Sequence, residues 1–231
     1  MRLSALSKHP VIYIMTHDSI GLGEDGPTHQ PIETLAGIRA MPNIIDFRPA
    51  DGNEVSASYI AALENNKRPS VLIFSRQNLP NLAGSSIEKA LCGAYIVQPA
   101  KDARLILVAT GSEVSLACES ADALEKTHGV PATVVSMPSW RLFDEQPLSY
   151  KQTVFPQGIP VVSVEAMSTL GWQKYAHYAI GVDAFGKSAP YLETYKYFGL
   201  VPSVIAEKAW KISNHYSKNT PEWKMQSDPC L

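Results

Sequence analysis

Short apolar runs alternate with amphipathic stripes over the first eighty residues. Residues 11–15 form a β-rich run bounded by Pro10 and a polar stretch, which predicts a buried strand. Pro31 suits the first turn of a helix, with Ile32, Leu35 and Ala36 at helical spacing and Pro42 as its stop. Residues 44–47 read as a second strand. The chain then turns through Arg48-Pro49-Ala50-Asp51-Gly52-Asn53-Glu54, where Asp51 and Glu54 have the spacing of a capping box. The next helix carries Val55, Tyr59, Ala62 and Leu63 on one side, Pro69 stops it, and residues 70–75 are a third strand. This order, β-loop-α-β-α-β, is the pattern of a parallel sheet.

Residues 81–93 lose the periodicity and read as a connector with one helical turn. A second unit follows, with strands at 94–97, 105–110, 132–136 and 161–165. Ser112 is placed to cap a helix with Val114, Ala117, Cys118, Ala121 and Leu124 on its apolar face, and Gly129 stops it. Residues 138–156 hold a loop and a short helix. Residues 171–179 and 190–198 read as short helices, and a last helix starts at Pro202 with Ile205, Ala209 and Ile212 in a stripe. The fold class is therefore α/β, two consecutive units with mainly parallel sheets flanked by helices. The expected divisions are 1–84, 94–216 and a loose polar tail at 217–231.

Composition narrows the function classes. The chain has 231 residues and a net charge of −2, too little basic excess for an electrostatic nucleic-acid footprint. Its longest apolar runs are too short to span a bilayer. Cys92, Cys118 and Cys230 are odd in number and widely spaced, which fits neither a disulfide framework nor a zinc cluster and points to a reducing compartment. The first ten residues hold no apolar core of signal-peptide length and run straight into a strand, an abrupt start that predicts a missing beginning.

The chemistry concentrates between the first strand and the first helix, in Thr16-His17-Asp18-Ser19-Ile20-Gly21-Leu22-Gly23-Glu24-Asp25-Gly26-Pro27-Thr28-His29-Gln30. Gly21, Gly23 and Gly26 let this stretch curl, so that His17, Asp25 and His29 can converge. In an α/β protein ligands lie beyond the carboxyl ends of the strands, where this loop sits. Imidazoles and a carboxylate suit a polyhydroxylated substrate and proton transfer near neutral pH. A solvated loop with turn-forming glycines is the alternative. Zinc is a weaker rival, because the His17–His29 gap matches no compact ligand pair. Arg76, just past the third strand, either grips a phosphate or carboxylate or closes a domain interface. Arg48 reads as part of a turn pinned by an internal ion pair with Asp51. Glu165, at a strand end without polar neighbours, reads as structural. Trp172, Tyr175, His177 and Tyr178 read as a packing or interface group, and His9, His128 and His215 as surface residues.

The stretch 16–31 resembles the transketolase signature over some fifteen ungapped positions. Phe47-Arg48-Pro49-Ala50-Asp51-Gly52-Asn53-Glu54, Ser75-Arg76-Gln77-Asn78-Leu79-Pro80 and Ala109-Thr110-Gly111-Ser112-Glu113-Val114 support the resemblance, which runs from about residue 2 to about residue 216. Two further stretches, 141–146 and 185–190, lean toward dihydroxyacetone synthase. The resemblance implies transfer of a two-carbon ketol unit from a ketose phosphate to an aldose, with thiamine diphosphate and magnesium. It implies that His17 binds the donor sugar near its phosphate and that Asp25 bonds the C2 hydroxyl of the acceptor. His29 would contact hydroxyls beside the reacting carbon and act as the catalytic group moving protons, while Arg76 would clamp the phosphate.

The family's Gly-Asp-Gly metal motif, its activating glutamate and its ring-packing aromatics are not matched. Glu24-Asp25-Gly26 and Ala50-Asp51-Gly52 are not that motif. The chain thus looks like the second half of a pyrimidine-binding domain plus a complete C-terminal domain, with the residues that bind thiamine diphosphate and magnesium mostly absent. It is expected to be inactive alone and to leave a sheet edge or apolar face exposed. The implied partners are sugar phosphates, a second copy in a homodimer, or a separate N-terminal half, with no nucleic acid and no membrane. A formaldehyde-using synthase and a non-catalytic complementing subunit are the other readings. Pro229-Cys230-Leu231 lacks the basic residue of a peroxisomal signal, so the cytoplasm is the expected location and the peroxisome the alternative.

Overall fold

In the computed structural model, which describes residues 1–224, a short helix α1 (Arg2–Leu6) leads into β1 (Ile12–Thr16). Helix α2 (Thr34–Ala40), β2 (Ile45–Phe47), α3 (Gly52–Glu64) and β3 (Ser70–Phe74) follow. The three strands form one parallel sheet in the order β1-β3-β2. Central β3 is buried on both faces, which is why it reads as a continuous apolar run. Val71 and Ile73 pack toward Leu35 and Ile38, while Leu72 packs toward Phe47 and Ala62. β1 lies at the edge of this sheet with Ile14 52% exposed, and Leu3 and Leu6 of α1 are also exposed. The sequence-expected apolar edge is therefore present.

One helical turn, α4 (Ile87–Ala90), interrupts the connector, as the lost periodicity predicts. Then come β4 (Tyr95–Gln98), β5 (Leu105–Ala109), α5 (Glu113–His128), β6 (Ala132–Ser136), α6 (Trp140–Asp144), α7 (Leu148–Val154), β7 (Val161–Val164), β8 (Tyr178–Ile180), α8 (Tyr191–Tyr197) and α9 (Pro202–His215). The second sheet has the order β4-β6-β5-β7-β8, parallel except for the antiparallel edge pair β4–β6. Along β5 the side chains alternate: Leu105, Leu107 and Ala109 join the core under α5 and α9, while Ile106 and Val108 join Phe143, Phe155 and Trp172 on the other face. Trp172 and Tyr175 are fully buried there, the packing role predicted for them.

Several local readings are corrected. Helix α2 begins at Thr34 and not at Pro31, because the Ile32 carbonyl accepts the Ser168 amide from the second unit (2.9 Å) instead of closing a helical turn. Residues 171–179 are not a helix: a 3-10 turn at Trp172–Lys174 runs into strand β8, which pairs with β7. Apolar residues at 172, 176 and 179 imitate a helical stripe, but Gly171 (φ 94°) and the free edge of β7 decide the outcome. The 138–156 segment holds two short helices instead of one. Ser112 does not cap α5, because its backbone is itself helical and its hydroxyl donates to Glu113 at 2.7 Å. The tail expected to be loose from 217 is docked in its described part, with Pro221 buried and the Trp223 indole donating to the Phe155 carbonyl (2.8 Å), while Cys230 and the rest beyond residue 224 lie outside the described residues.

Candidate functional site

The register Thr16↔Phe74 sets His17 and Ser75 side by side where β1 and β3 end. His17 and Arg76 thus leave the sheet at the same carboxyl edge, on neighbouring strands. His17 takes a left-handed backbone, φ 64°, rare for a residue with a Cβ and found mainly where the surroundings impose it. Its Nδ1 is bonded to the Thr16 hydroxyl at 2.8 Å. His29 is treated alike by Thr28, at 2.9 Å. With Nδ1 occupied in both rings, Nε2 is the nitrogen each offers to a ligand.

The loop between them is built mainly from bonds to its own backbone and to the second unit. Ser19 accepts the Gly21 amide (3.2 Å) and opens a 3-10 turn at Ile20–Leu22. Gly21 packs directly against Gln77: a Cβ there would fall 2.4 Å from the Gln77 amide nitrogen and would push that side chain aside. That contact packs the Arg76 loop against the His17 loop. Gln30 donates to the carbonyls of Gly23 (2.9 Å) and Lys187 (3.0 Å), Ser188 donates to the Glu24 carbonyl, and Thr194 donates to the Ile20 carbonyl (3.2 Å).

His17 and His29 line one cavity of about 670 Å³ together with Thr16, Asp18 and apolar residues that include Met15, Ile73 and Met167. Asp25 and Arg76 are exposed and lie outside that wall, though Asp25 is on the same loop and Arg76 on the adjoining one. The cavity wall holds two imidazoles and a carboxylate but no lysine or arginine. Among the described residues no group of three or more His, Cys, Asp or Glu side chains could hold a metal ion. This donor set does not fit a magnesium-bound diphosphate.

Under the loop lies a buried charge network. Arg48 is 1% exposed. Its Nε donates to Asp18 Oδ2 (2.9 Å), with Nη2 in ion-pair contact with the same oxygen at 2.8 Å, and its Nη1 reaches Glu113 Oε2 at 2.5 Å and the Thr110 carbonyl at 2.8 Å. Burial opposes the Arg48 charge, but the carboxylates of Glu113, Asp18 and Glu165 hold its pKa well above the ordinary value. Asp18 Oδ2 also accepts from Ser75 (3.1 Å), whereas its buried Oδ1 has no partner among the described residues. Arg39 grips Glu165 with two 2.9 Å bonds, and Glu165 further accepts from Thr110 and from the Trp172 indole at 2.8 Å. The structural reading of Glu165 holds. The internal Arg48–Asp51 pair does not form: Asp51 caps α3 through the Glu54 amide (3.0 Å), and Arg48 is spent on partners far along the chain. Asp18, Arg39 and Glu113 were invisible as site-supporting residues, since a charge just past a strand or in the first or last turn of a helix carries no sequence mark of a distant partner.

Residues 1–81 match the family model described as the transketolase pyrimidine-binding domain, and residues 93–201 match that of the transketolase-like C-terminal domain. Transketolase 1 of Candida albicans is 54% identical over 216 residues, 94% of this chain and 32% of that protein. Transketolase 1 of Saccharomyces cerevisiae gives the same identity and coverage. A crystal structure of Pichia stipitis transketolase in complex with sedoheptulose 7-phosphate superposes with a TM-score of 0.96 at 51% identity, covering 98% of this chain and 33% of that one. The chain spans about a third of the length of the curated relatives it matches.

Proposed function

We propose, since this chain belongs to the transketolase family, that it supplies the sugar-phosphate side of a site that transfers a two-carbon ketol unit from a ketose phosphate to an aldose. The observation that carries the proposal is the meeting of His17 and His29 in one cavity, with Arg76 at the end of the strand beside His17. His17 Nε2 donates to the donor sugar near its phosphate. The exposed Asp25 carboxylate accepts from the C2 hydroxyl of the acceptor. His29 takes and returns the proton of a hydroxyl beside the reacting carbon, with the Thr28 hydroxyl fixing its ring. Arg76 clamps the phosphate with two parallel bonds, outside the cavity wall where a phosphate stays solvated.

The magnesium-bound diphosphate of thiamine diphosphate, which the family resemblance implies, does not fit the donors of this cavity wall. On this reading the residues that hold it lie elsewhere, on a separate N-terminal half, and this chain alone binds sugar phosphate without turnover. The division into units 1–84 and 94–216 belongs to the same proposal, supported by the two family-model matches. Cys92 and Cys118 are free thiols, which supports a cytoplasmic location.

Calorimetric titration of the chain with ribose 5-phosphate and with ribose tests the binding step. Saturable binding that depends on the phosphate supports the proposal, and absence of binding overturns it. A two-carbon transfer assay on the isolated chain with thiamine diphosphate and magnesium tests the rest, and clear turnover would sink the claim of inactivity alone. Formaldehyde preferred over ribose 5-phosphate as acceptor in a reconstituted enzyme would move the chain to the dihydroxyacetone synthase reading.

A further inference from the structure

Two stretches far apart in the chain interlock: Thr110-Gly111-Ser112-Glu113 in the second unit, and Arg48 with its neighbours in the first. The structure places one inside the other. The turn leaving β5 wraps the Arg48 guanidinium. The Thr110 carbonyl and hydroxyl accept from Nη1 (2.8 and 2.9 Å), the Ser112 hydroxyl from Nη2 (3.3 Å), and Glu113 Oε2 from Nη1 (2.5 Å). In return the Arg48 carbonyl accepts the Gly111 amide at 3.0 Å. Gly111 has φ 52°, and a Cβ there would lie 2.8 Å from the guanidinium carbon, so the turn closes over Arg48 only with glycine. Glu113 is itself anchored, by the Tyr195 hydroxyl (2.6 Å) and the Ala166 amide (3.0 Å).

The guanidinium edge facing away from this cradle is the edge that holds Asp18, and Asp18 follows directly on His17. Asp18 is 2% exposed and is fixed by hydrogen bonds from Arg48 and Ser75 and by its ion pair with Arg48. A residue whose successor is pinned this firmly keeps an unfavourable backbone angle because the alternative would break buried ionic bonds.

We infer that the 110–113 turn of the second unit, acting through Arg48 and Asp18, sets the left-handed conformation of His17 and so orients the sugar-binding loop. Glu113 and Arg48 are positioning residues, and the 110–113 turn acts on the site without lining its cavity. The inference rests on the proposed sugar-phosphate role of His17, and the test separates the two.

The variants are Glu113→Gln, which keeps the shape and removes the charge, and Tyr195→Phe, a milder change that loosens the same carboxylate. Arg68→Ala serves as the control. It breaks another ion pair between the units, with Glu145 (2.5 Å), that has no link to Asp18. Three quantities are read on the full chain: amide hydrogen exchange over residues 16–30, the NMR resonance of the His17 Cε1 proton, and the affinity for ribose 5-phosphate. Glu113→Gln is expected to speed exchange in the loop about tenfold, shift the His17 resonance and weaken the sugar phosphate about tenfold, the scale of one lost charge-assisted bond. Tyr195→Phe moves all three in the same direction by less, and Arg68→Ala moves none.

A His17 resonance and loop exchange unchanged in Glu113→Gln overturn the inference, whatever happens to thermal stability. If Glu113→Gln does not fold, Tyr195→Phe decides by the same readings. If the loop responds as expected while even the wild-type chain ignores ribose 5-phosphate, the positioning stands and the proposed function falls.

Discussion

Arg39 and Glu165 form a two-pronged ion pair, Nη1 to Oε2 and Nη2 to Oε1, both 2.9 Å, that joins helix α2 of the first sheet to the end of β7 in the second. Both side chains are nearly sequestered, at 6% and 1% exposure. The Arg39 guanidinium also lies 3.9 Å over the Trp140 ring. An ion pair in this setting gives little net stability when intact, yet removing one partner strands the other.

The first prediction follows from that asymmetry. Arg39→Ala should cost about 3–5 kcal/mol in a denaturant titration, because Glu165 stays buried without its main counter-charge. The pH dependence gives an independent check. Burial pushes the Glu165 carboxyl up, but Arg39 and then Arg48 outweigh it and hold it below its ordinary 4.5. A carboxylate depressed by folding stabilises above its unfolded pKa and loses that contribution as the pH falls through the folded one. Wild type should therefore lose stability on acidification below about pH 4.5, with a shallower loss in the variant. An Arg39→Ala protein as stable as wild type would mean that the two units are not joined in this way.

Glu54 behaves in the opposite sense. It is fully buried between α3 and the second sheet, accepting from the Ala50 amide (2.7 Å), the Tyr95 hydroxyl (2.8 Å) and the Ser136 hydroxyl (2.5 Å). Burial lifts its pKa from 4.5 to about 7, further than these three bonds pull it down. A carboxyl raised by folding contributes fully below its unfolded pKa and loses the contribution as pH rises to the folded value. Stability should thus fall between pH 4.5 and about 7 by this group alone. Glu54→Gln removes the titration. Its denaturation midpoint at pH 5, relative to pH 8, should show a smaller difference than wild type, and an identical difference in both proteins would rule Glu54 out as the source.

Arg76 is exposed and carries the phosphate clamp of the proposed site. Arg76→Gln keeps a polar side chain and removes the charged fork. Affinity for ribose 5-phosphate should drop roughly tenfold to a hundredfold, the worth of hydrogen bonds to a charged group, while any affinity for ribose stays unchanged. Thermal stability should stay within about 0.5 kcal/mol of wild type, as for other exposed positions. Equal weakening of ribose and ribose 5-phosphate would show that Arg76 acts on the loop and not on the phosphate.

The order of elements was legible in the chain because apolar period and turn residues are local signals. The runs at β1, β3 and β5, the Asp51 cap and the Gly129 stop all act within a few residues of themselves. The site was legible in part. His17 and His29 could be grouped by the glycines between them, but the closeness of Arg76 depends on β3 pairing with β1, a relation between residues some sixty positions apart. The Arg48 reading failed for the same physical reason. A local rule looks for its counter-charge nearby at Asp51, whereas the fold supplies Asp18 and Glu113 from either side along the chain. Residues 171–179 failed because an edge strand and a helix can share the same apolar spacing, and only the open side of β7 chooses between them.

His17 yields the sharpest test of the site, because backbone and side chain can be separated there. Its φ of 64° is tolerated by asparagine but costs a β-branched residue about 1–2 kcal/mol. His17→Asn should keep the stability of the fold within about 0.5 kcal/mol, while His17→Val loses about 1–2 kcal/mol in a denaturant titration. Both remove the imidazole, so both should weaken ribose 5-phosphate. The ordering of stability reports the backbone, and the shared loss of binding reports the ring. If valine proves as stable as asparagine, residue 17 is not held left-handed in solution. If asparagine binds the sugar phosphate as histidine does, the imidazole makes no contact that matters to affinity.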